Sequence, residues 1–328
     1  MKYIYLLLSL VFLSVNMFSQ GIPHVKVFSN FNYDLNSNDN TNYKAFEIKR
    51  AYLGYSHNLS EDFTLKVTFD VGENNSGSTY TAFLKIASLN WKKSEKLNIN
   101  FGMISTQNFK FMENSWGKRY VYKSFLDQKE WASSADLGAS ITYAVSDNFL
   151  FDAQLLNGDG YKNIQDSKGL MRGSAGVTYN IENISIRISR DILPRSEYLE
   201  QFEFQSINTL AFNYHLSNIN LGGEYNIREN TFNVLNNTSN ALSLYGTIEL
   251  GNDINFFGRY DKSFSEDINE IQWNILNEGE ITLIGVEKIM IEGVKVALNF
   301  RTFKNATLET ELEANPISSI FLNFEYKF

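Results

Sequence analysis

The connections between apolar segments sort by length, and this constrains the fold more than any single motif. Short polar turns fall near 60–62, 93–95, 146–148, 182–183, 217–218, 251–253 and 291–293. Longer polar stretches fall near 36–42, 72–79, 105–135, 158–169, 190–203, 229–240, 264–278 and 304–316. Ser, Asp, Asn and Gly fill the short ones, as tight turns require. Short and long strictly alternate, so the pattern predicts about sixteen antiparallel strands. A two-sheet sandwich has no reason to sort its connections. A barrel that crosses an outer membrane does, with short turns on the periplasmic side and long loops outside.

The segments between connections have period 2. Phe63, Leu65, Val67, Phe69 and Val71 alternate with Thr64, Lys66, Thr68 and Asp70. Leu137 to Val145, Met171 to Ile181 and Val294 to Phe300 repeat the pattern. One face suits lipid and the other suits water. The stretch 280–289 is ambiguous, because Ile284 and Val286 compete with Ile281 and Leu283 for the apolar face. The last strand carries Ile320, Leu322, Phe324, Tyr326 and Phe328 on one face, with Asn323, Glu325 and Lys327 on the other. Phe324, Tyr326 and Phe328 read as a signal to assembly machinery that captures a strand by edge addition. Aromatics beside the short turns (Tyr55, Phe63, Trp91, Tyr143, Phe149, Tyr179, Tyr214 and Phe328) read as one interfacial girdle.

Composition agrees. There are 26 Phe and 18 Tyr for girdles, and 3 Pro, which suits long strands. No Cys occurs, which removes disulfides, thiolate metal sites and a lipoprotein anchor. Residues 1–19 read as a signal peptide: Lys2 precedes an apolar run from Ile4 to Val15 that is too short to span. The remainder, 20–328, reads as a single barrel. Removing Lys2 takes the formal charge from −8 to −9, which argues against nucleic-acid binding.

Residues 46–55 and 63–70 carry a family resemblance. The first holds the pair Arg50-Ala51 with Gly54 three residues on, and the second ends in Phe69-Asp70. Asn100-Phe101-Gly102-Met103-Ile104 follows as a Gly-containing strand leading into a long loop. These segments resemble the phosphate-selective porin O and P family. The resemblance covers roughly 45–145 and the last strand. It implies a sixteen-stranded porin, commonly a homotrimer, whose third loop folds into the lumen. The chain departs from the family where Ser105-Thr106-Gln107-Asn108-Phe109 replaces a step that usually contains proline.

The lipid-facing register assigns the opposite residues to the lumen. Arg50, Lys66, Lys85, Arg172, Arg187, Arg228, Arg259, Lys295 and Arg301 are then candidate pore-lining cations. Asp70, Asp136, Asp152, Glu224, Asp261 and Glu325 face them. Rings of Arg and Lys favour anions such as phosphate, whereas cross-strand pairing would merely solvate the wall. In the long 105–135 stretch, Lys110, Trp116, Lys118, Arg119, Lys123 and Lys129 are candidate constriction residues. Calcium ligands are not indicated: neither Asp34, Asn36, Asn38 and Asn40 nor the Asn157-Gly158-Asp159-Gly160 run has the full spacing. His24, His57 and His215 have no metal spacing, and no cofactor is expected. The expected partners are membrane lipid and small hydrophilic solutes diffusing through the lumen, with no bond made or broken. Two alternatives stand beside this. One is a non-conducting barrel that binds a partner through its loops. The other is a barrel lipase, which would need Ser56 and His57 to act together although strand neighbours point to opposite faces.

Overall fold

The computed structural model describes residues 21–35, 42–73, 80–165, 169–193, 203–266, 268, 272–306 and 316–328. Residues 1–19, read above as a signal peptide, and Asn36, Asn38 and Asn40 lie outside them.

Sixteen strands close into one barrel, each paired antiparallel with its neighbours, and β1 pairs with β16. They are β1 Ile22–Asp34, β2 Lys44–Asn58, β3 Phe63–Glu73, β4 Tyr80–Lys92, β5 Leu97–Ser105, β6 Ala135–Ala144, β7 Phe149–Leu156 and β8 Arg172–Ile181. They continue as β9 Ile184–Leu193, β10 Gln205–Leu216, β11 Ile219–Glu229, β12 Ser239–Gly251, β13 Ile254–Ser265, β14 Gly279–Ile291, β15 Val294–Asn305 and β16 Ile317–Lys327. Closure leaves no strand edge unpaired, which a spanning sheet must achieve because lipid offers no hydrogen bonds. The short turns gather at one end and the long connections at the other, as the sorted lengths predict. Between β5 and β6 the chain forms helices α1 (Gln107–Trp116) and α2 (Phe125–Gln128).

The period-2 pattern sets the wall. On β3, Leu65 and Phe69 are exposed outward while Thr68 and Asp70 are buried inside. On β16, Ile320 and Tyr326 face out while Asn323 and Glu325 are buried. Phe324 is half-buried, and Phe328 is exposed. Girdle aromatics meet across strands: Phe63 stacks on Trp91 at 5.6 Å and Phe149 lies 6.1 Å from Tyr179. The ambiguous β14 resolves with Ile284 and Val286 outward and Ile281 and Leu283 inward, the latter two buried. Both faces are apolar because the inner one meets protein rather than water.

Inside the barrel, two apolar clusters join the 106–134 segment to the wall. Trp116, Tyr120, Val121 and Tyr122 pack on Phe28, Tyr245, Phe257, Ile281 and Leu283. Met112, Phe125, Leu126 and Trp131 pack on Ile207 and Ala241. A bulge between β3 and β4 leaves Lys85 without a partner in the ladder, since Thr68 pairs with Ile86 and Phe69 with Leu84. Bulges bend a strand and re-aim a side chain. Lys85 and Ser88 are therefore both buried inside although their positions differ in parity.

Candidate functional site inside the barrel

The 106–134 segment enters the interior through its first turn. Thr106 Oγ1 donates to the Ser133 carbonyl at 3.1 Å, closing the base of the loop. The Gln107 amide donates to Gln154 Oε1 at 2.8 Å. Asn108 then sits between two wall ion pairs. Its Nδ2 donates to Asp191 Oδ2 at 2.7 Å, and its Oδ1 accepts from Arg187 Nε at 2.8 Å. Arg187 grips Asp152 with both terminal nitrogens at 2.6 and 2.9 Å, and Arg172 reaches Asp191 at 2.7 Å. All four charged groups are buried. Such paired, hydrogen-bonded charges persist inside a protein where lone ones do not.

From the last turn of α1 onward, the wall holds the loop by its backbone. Asn220 donates to the Ser115 carbonyl at 2.9 Å, and Asn323 to the Tyr120 carbonyl at 3.1 Å. Arg301 donates to the Val121 carbonyl at 2.6 Å, and Arg259 to the Lys123 carbonyl at 2.7 Å. Arg259 also holds Asp261 bidentately at 2.8 Å and lies 5.2 Å over the Trp116 ring. Trp116 is buried, and its Nε1 donates to the Tyr122 carbonyl at 2.8 Å. Lys118 Nζ pairs with Glu287 at 2.9 Å, and the Tyr120 hydroxyl donates to the same carboxylate at 2.6 Å.

Among the described residues, the opposite flank is sealed by side chains alone. Arg119 pairs with Glu113 and with Asp127 (2.8 Å), and its Nε donates to the Tyr52 hydroxyl at 3.1 Å. Burial acts to raise the Asp127 carboxyl, but Arg119 and then Lys123 outweigh it and hold it below its usual value. Burial raises Glu113 in spite of Arg119. On the wall, Arg50 pairs with Asp70, which accepts from the Tyr161 hydroxyl at 2.6 Å. Lys85 lies 3.8 Å from Asp70 and 5.0 to 5.4 Å from the rings of Tyr52, Phe109 and Tyr161.

The remaining candidates stand apart from these two flanks. Lys66 and Lys110 are exposed. Lys295 approaches Glu287 at 3.9 Å with a quarter-exposed side chain. Lys129 donates to the Asn277 carbonyl at 3.1 Å. Lys123 is half-buried. Arg228 donates to Gln205 Oε1 at 2.8 Å and has no ion pair among the described residues. No cluster of His, Cys, Asp and Glu suited to a metal occurs among the described residues.

Two acids that organise the interior were absent from the sequence-based set. Asp191 fell within the stretch read as a loop, whereas β9 extends to Leu193. Glu287 lay in the segment of ambiguous register. Tyr52, Tyr120 and Asn108 also carry no signal in period 2 alone.

The family profile of phosphate-selective porin O and P matches the chain over residues 25–171, from β1 to the edge of β8. Over these residues the chain is similar to that family. The match takes in the Arg50-Ala51 strand, the Phe69-Asp70 strand and the whole inward loop. Solved structures share the fold at low identity. OprB of Pseudomonas putida is 9% identical, with a TM-score of 0.73 and 96% of each chain covered. The anion-selective porin from Comamonas acidovorans is also 9% identical, with a TM-score of 0.70, covering 94% of this chain and 99% of that one. OmpF of Salmonella typhi is 12% identical, with a TM-score of 0.68, covering 94% and 97%. Among curated proteins there is no match.

Proposed function

We propose that the protein is an outer-membrane porin that lets small hydrophilic solutes and ions diffuse through a lumen narrowed by the 106–134 loop. One observation carries this reading: the loop lies inside a closed sixteen-stranded barrel, its backbone held by donors from β11, β13, β15 and β16. An anchored segment narrows a barrel without breaking its wall. The short turns would face the periplasm, the leader 1–19 would direct export, and Phe324, Tyr326 and Phe328 would guide assembly. The family resemblance favours a homotrimer.

The charges favour weak selectivity. Arg50, Lys85, Arg172, Arg187, Arg259, Lys118 and Arg119 each lie within 4.0 Å of an acid. A paired cation contributes little net field to a passing anion. Any anion preference therefore rests on Lys66, Lys110, Lys123, Lys129, Arg228 and Arg301, which have no acid within 4.0 Å among the described residues. A second reading, a closed barrel that binds a partner through its loops, is favoured by the burial of Arg119 between Glu113, Asp127 and Tyr52.

Conductance in a planar bilayer decides between them. Stable steps with a reversal potential near zero under a salt gradient support the weakly selective porin. A strong anion reversal potential, abolished by changing Lys118, Arg119 and Lys123 together to Glu, supports phosphate-type selectivity instead. Folded protein that gives no steps overturns the porin.

A further inference from the structure

At the loop end of the barrel, Arg228 is held as if to receive something. Its guanidinium lies 5.6 Å from the Trp131 ring and 5.4 Å from the Phe232 ring. Its Nε donates to Gln205 Oε1 at 2.8 Å, and the same oxygen accepts the Phe232 amide at 2.9 Å. One glutamine therefore fixes both the cation and a ring beside it. Phe232 pays for this position in backbone strain, with φ 60 and ψ 25. A bulky residue in the left-handed region marks a conformation imposed by its surroundings. The Thr231 hydroxyl locks the turn by donating to the Arg228 carbonyl at 3.0 Å. Yet the two terminal nitrogens of Arg228 have no acceptor among the described residues.

Those nitrogens belong to a side chain that lines two adjoining cavities above the inward loop, of about 500 and 360 Å³. Glu130 and Trp131 line both cavities as well. Glu130 is exposed and, like Arg228, forms no ion pair among the described residues. The two opposite charges are thus on the same cavities, unpaired, with an aromatic ring lining both. By contrast, Arg187–Asp152 and Arg259–Asp261 pair directly.

A planar fork with its far edge free matches a carboxylate bidentately. Glu130 on the same cavities suits an ammonium group, while Arg50, Lys123 and Lys162, with Asp127 and Asp159, line the larger one as well, so inorganic phosphate is the competing ligand. Trp131, Phe232 and Phe264 offer apolar surface for a side chain. We propose that Arg228 and Glu130 form a docking site for a zwitterionic α-amino acid or short peptide with an apolar side chain, at the outer mouth of the pore. The proposal rests on the porin reading for its orientation, but not for its chemistry.

The test is calorimetric titration of folded full-length protein in detergent with L-phenylalanine, phenethylamine, 3-phenylpropionate and inorganic phosphate. L-phenylalanine is expected to bind more tightly than the other three. Arg228→Gln should weaken it by at least about tenfold, since a charge-assisted bond is lost. Glu130→Gln should remove the advantage of L-phenylalanine over 3-phenylpropionate while leaving the latter bound. Arg228→Lys keeps the charge without the fork and should fall between wild type and Arg228→Gln. Equal binding by wild type and Arg228→Gln, or phosphate binding as tightly as L-phenylalanine, overturns the proposal. So does the absence of any heat with L-phenylalanine. Bilayer conductance of the same preparation separates the two ideas: steps without binding remove this site and keep the porin, whereas binding without steps does the reverse.

Discussion

The two flanks of the inward loop are held by different chemistry. Toward β11–β16, donors from the wall reach carbonyls of the loop: Asn220 to Ser115, Asn323 to Tyr120, Arg301 to Val121 and Arg259 to Lys123. Toward β2–β4, only side chains meet among the described residues, as in Arg119 with Tyr52 and Lys85 over Phe109. A carbonyl grip fixes where the peptide runs. A side-chain seal fixes only how the gap is filled, and rotamer changes can alter it without moving the backbone. The first flank is a mount, and the second is where an aperture would open.

The largest expected effect of breaking this contrast is on the mount. Arg259→Ala removes the hold on the Lys123 carbonyl and leaves buried Asp261 unpaired, at a cost of about 3–5 kcal/mol. Guanidinium unfolding of the detergent-solubilised barrel should show it, and proteolysis within 106–134 should accelerate. A midpoint equal to wild type would mean that the grip is incidental. Asn108→Ala cuts the link between Arg187 and Asp191 and should cost about 1–3 kcal/mol by the same assay. On the seal the expectation reverses. Arg119→Ala should raise single-channel conductance while the loop stays protected from protease; loss of that protection would show that the seal is also a mount. The smallest effect is with pH. Glu113 is raised by burial, with Arg119, Asp127 and Lys85 as its charged neighbours. It should therefore protonate above the usual glutamate range and free one arm of Arg119. Conductance should rise in mild acid, and Glu113→Gln should be insensitive there.

The outer wall was legible in the sequence because lipid imposes one rule on every strand. Leu65, Phe69, Ile141, Tyr143, Leu298 and Ile320 all face out as their alternation predicts. The interior obeys no such rule. Leu283 faces inward because Tyr120, Val121 and Trp116 replace water there, so an apolar residue marks loop contact rather than lipid. The β3–β4 bulge is silent in the sequence, since an inserted residue shifts parity without changing composition. Lys85 was assigned inward, but its ring of Tyr52, Phe109 and Tyr161 joins residues from three separate segments. Asp191 shows the converse limit: a charged residue near a strand end reads as loop until its partner, Arg172, is seen across the ladder.

The carbonyl grip has a consequence for redesign. Every main-chain oxygen is chemically alike, so wall donors that bind Ser115, Tyr120, Val121 and Lys123 through their carbonyls do not depend on which residues supply them. Positions in this stretch whose side chains point away from the wall can be exchanged as an insert in a fixed frame. A library at Lys123, with Arg259 and Arg301 untouched, would sample new permeation chemistries on an unchanged scaffold.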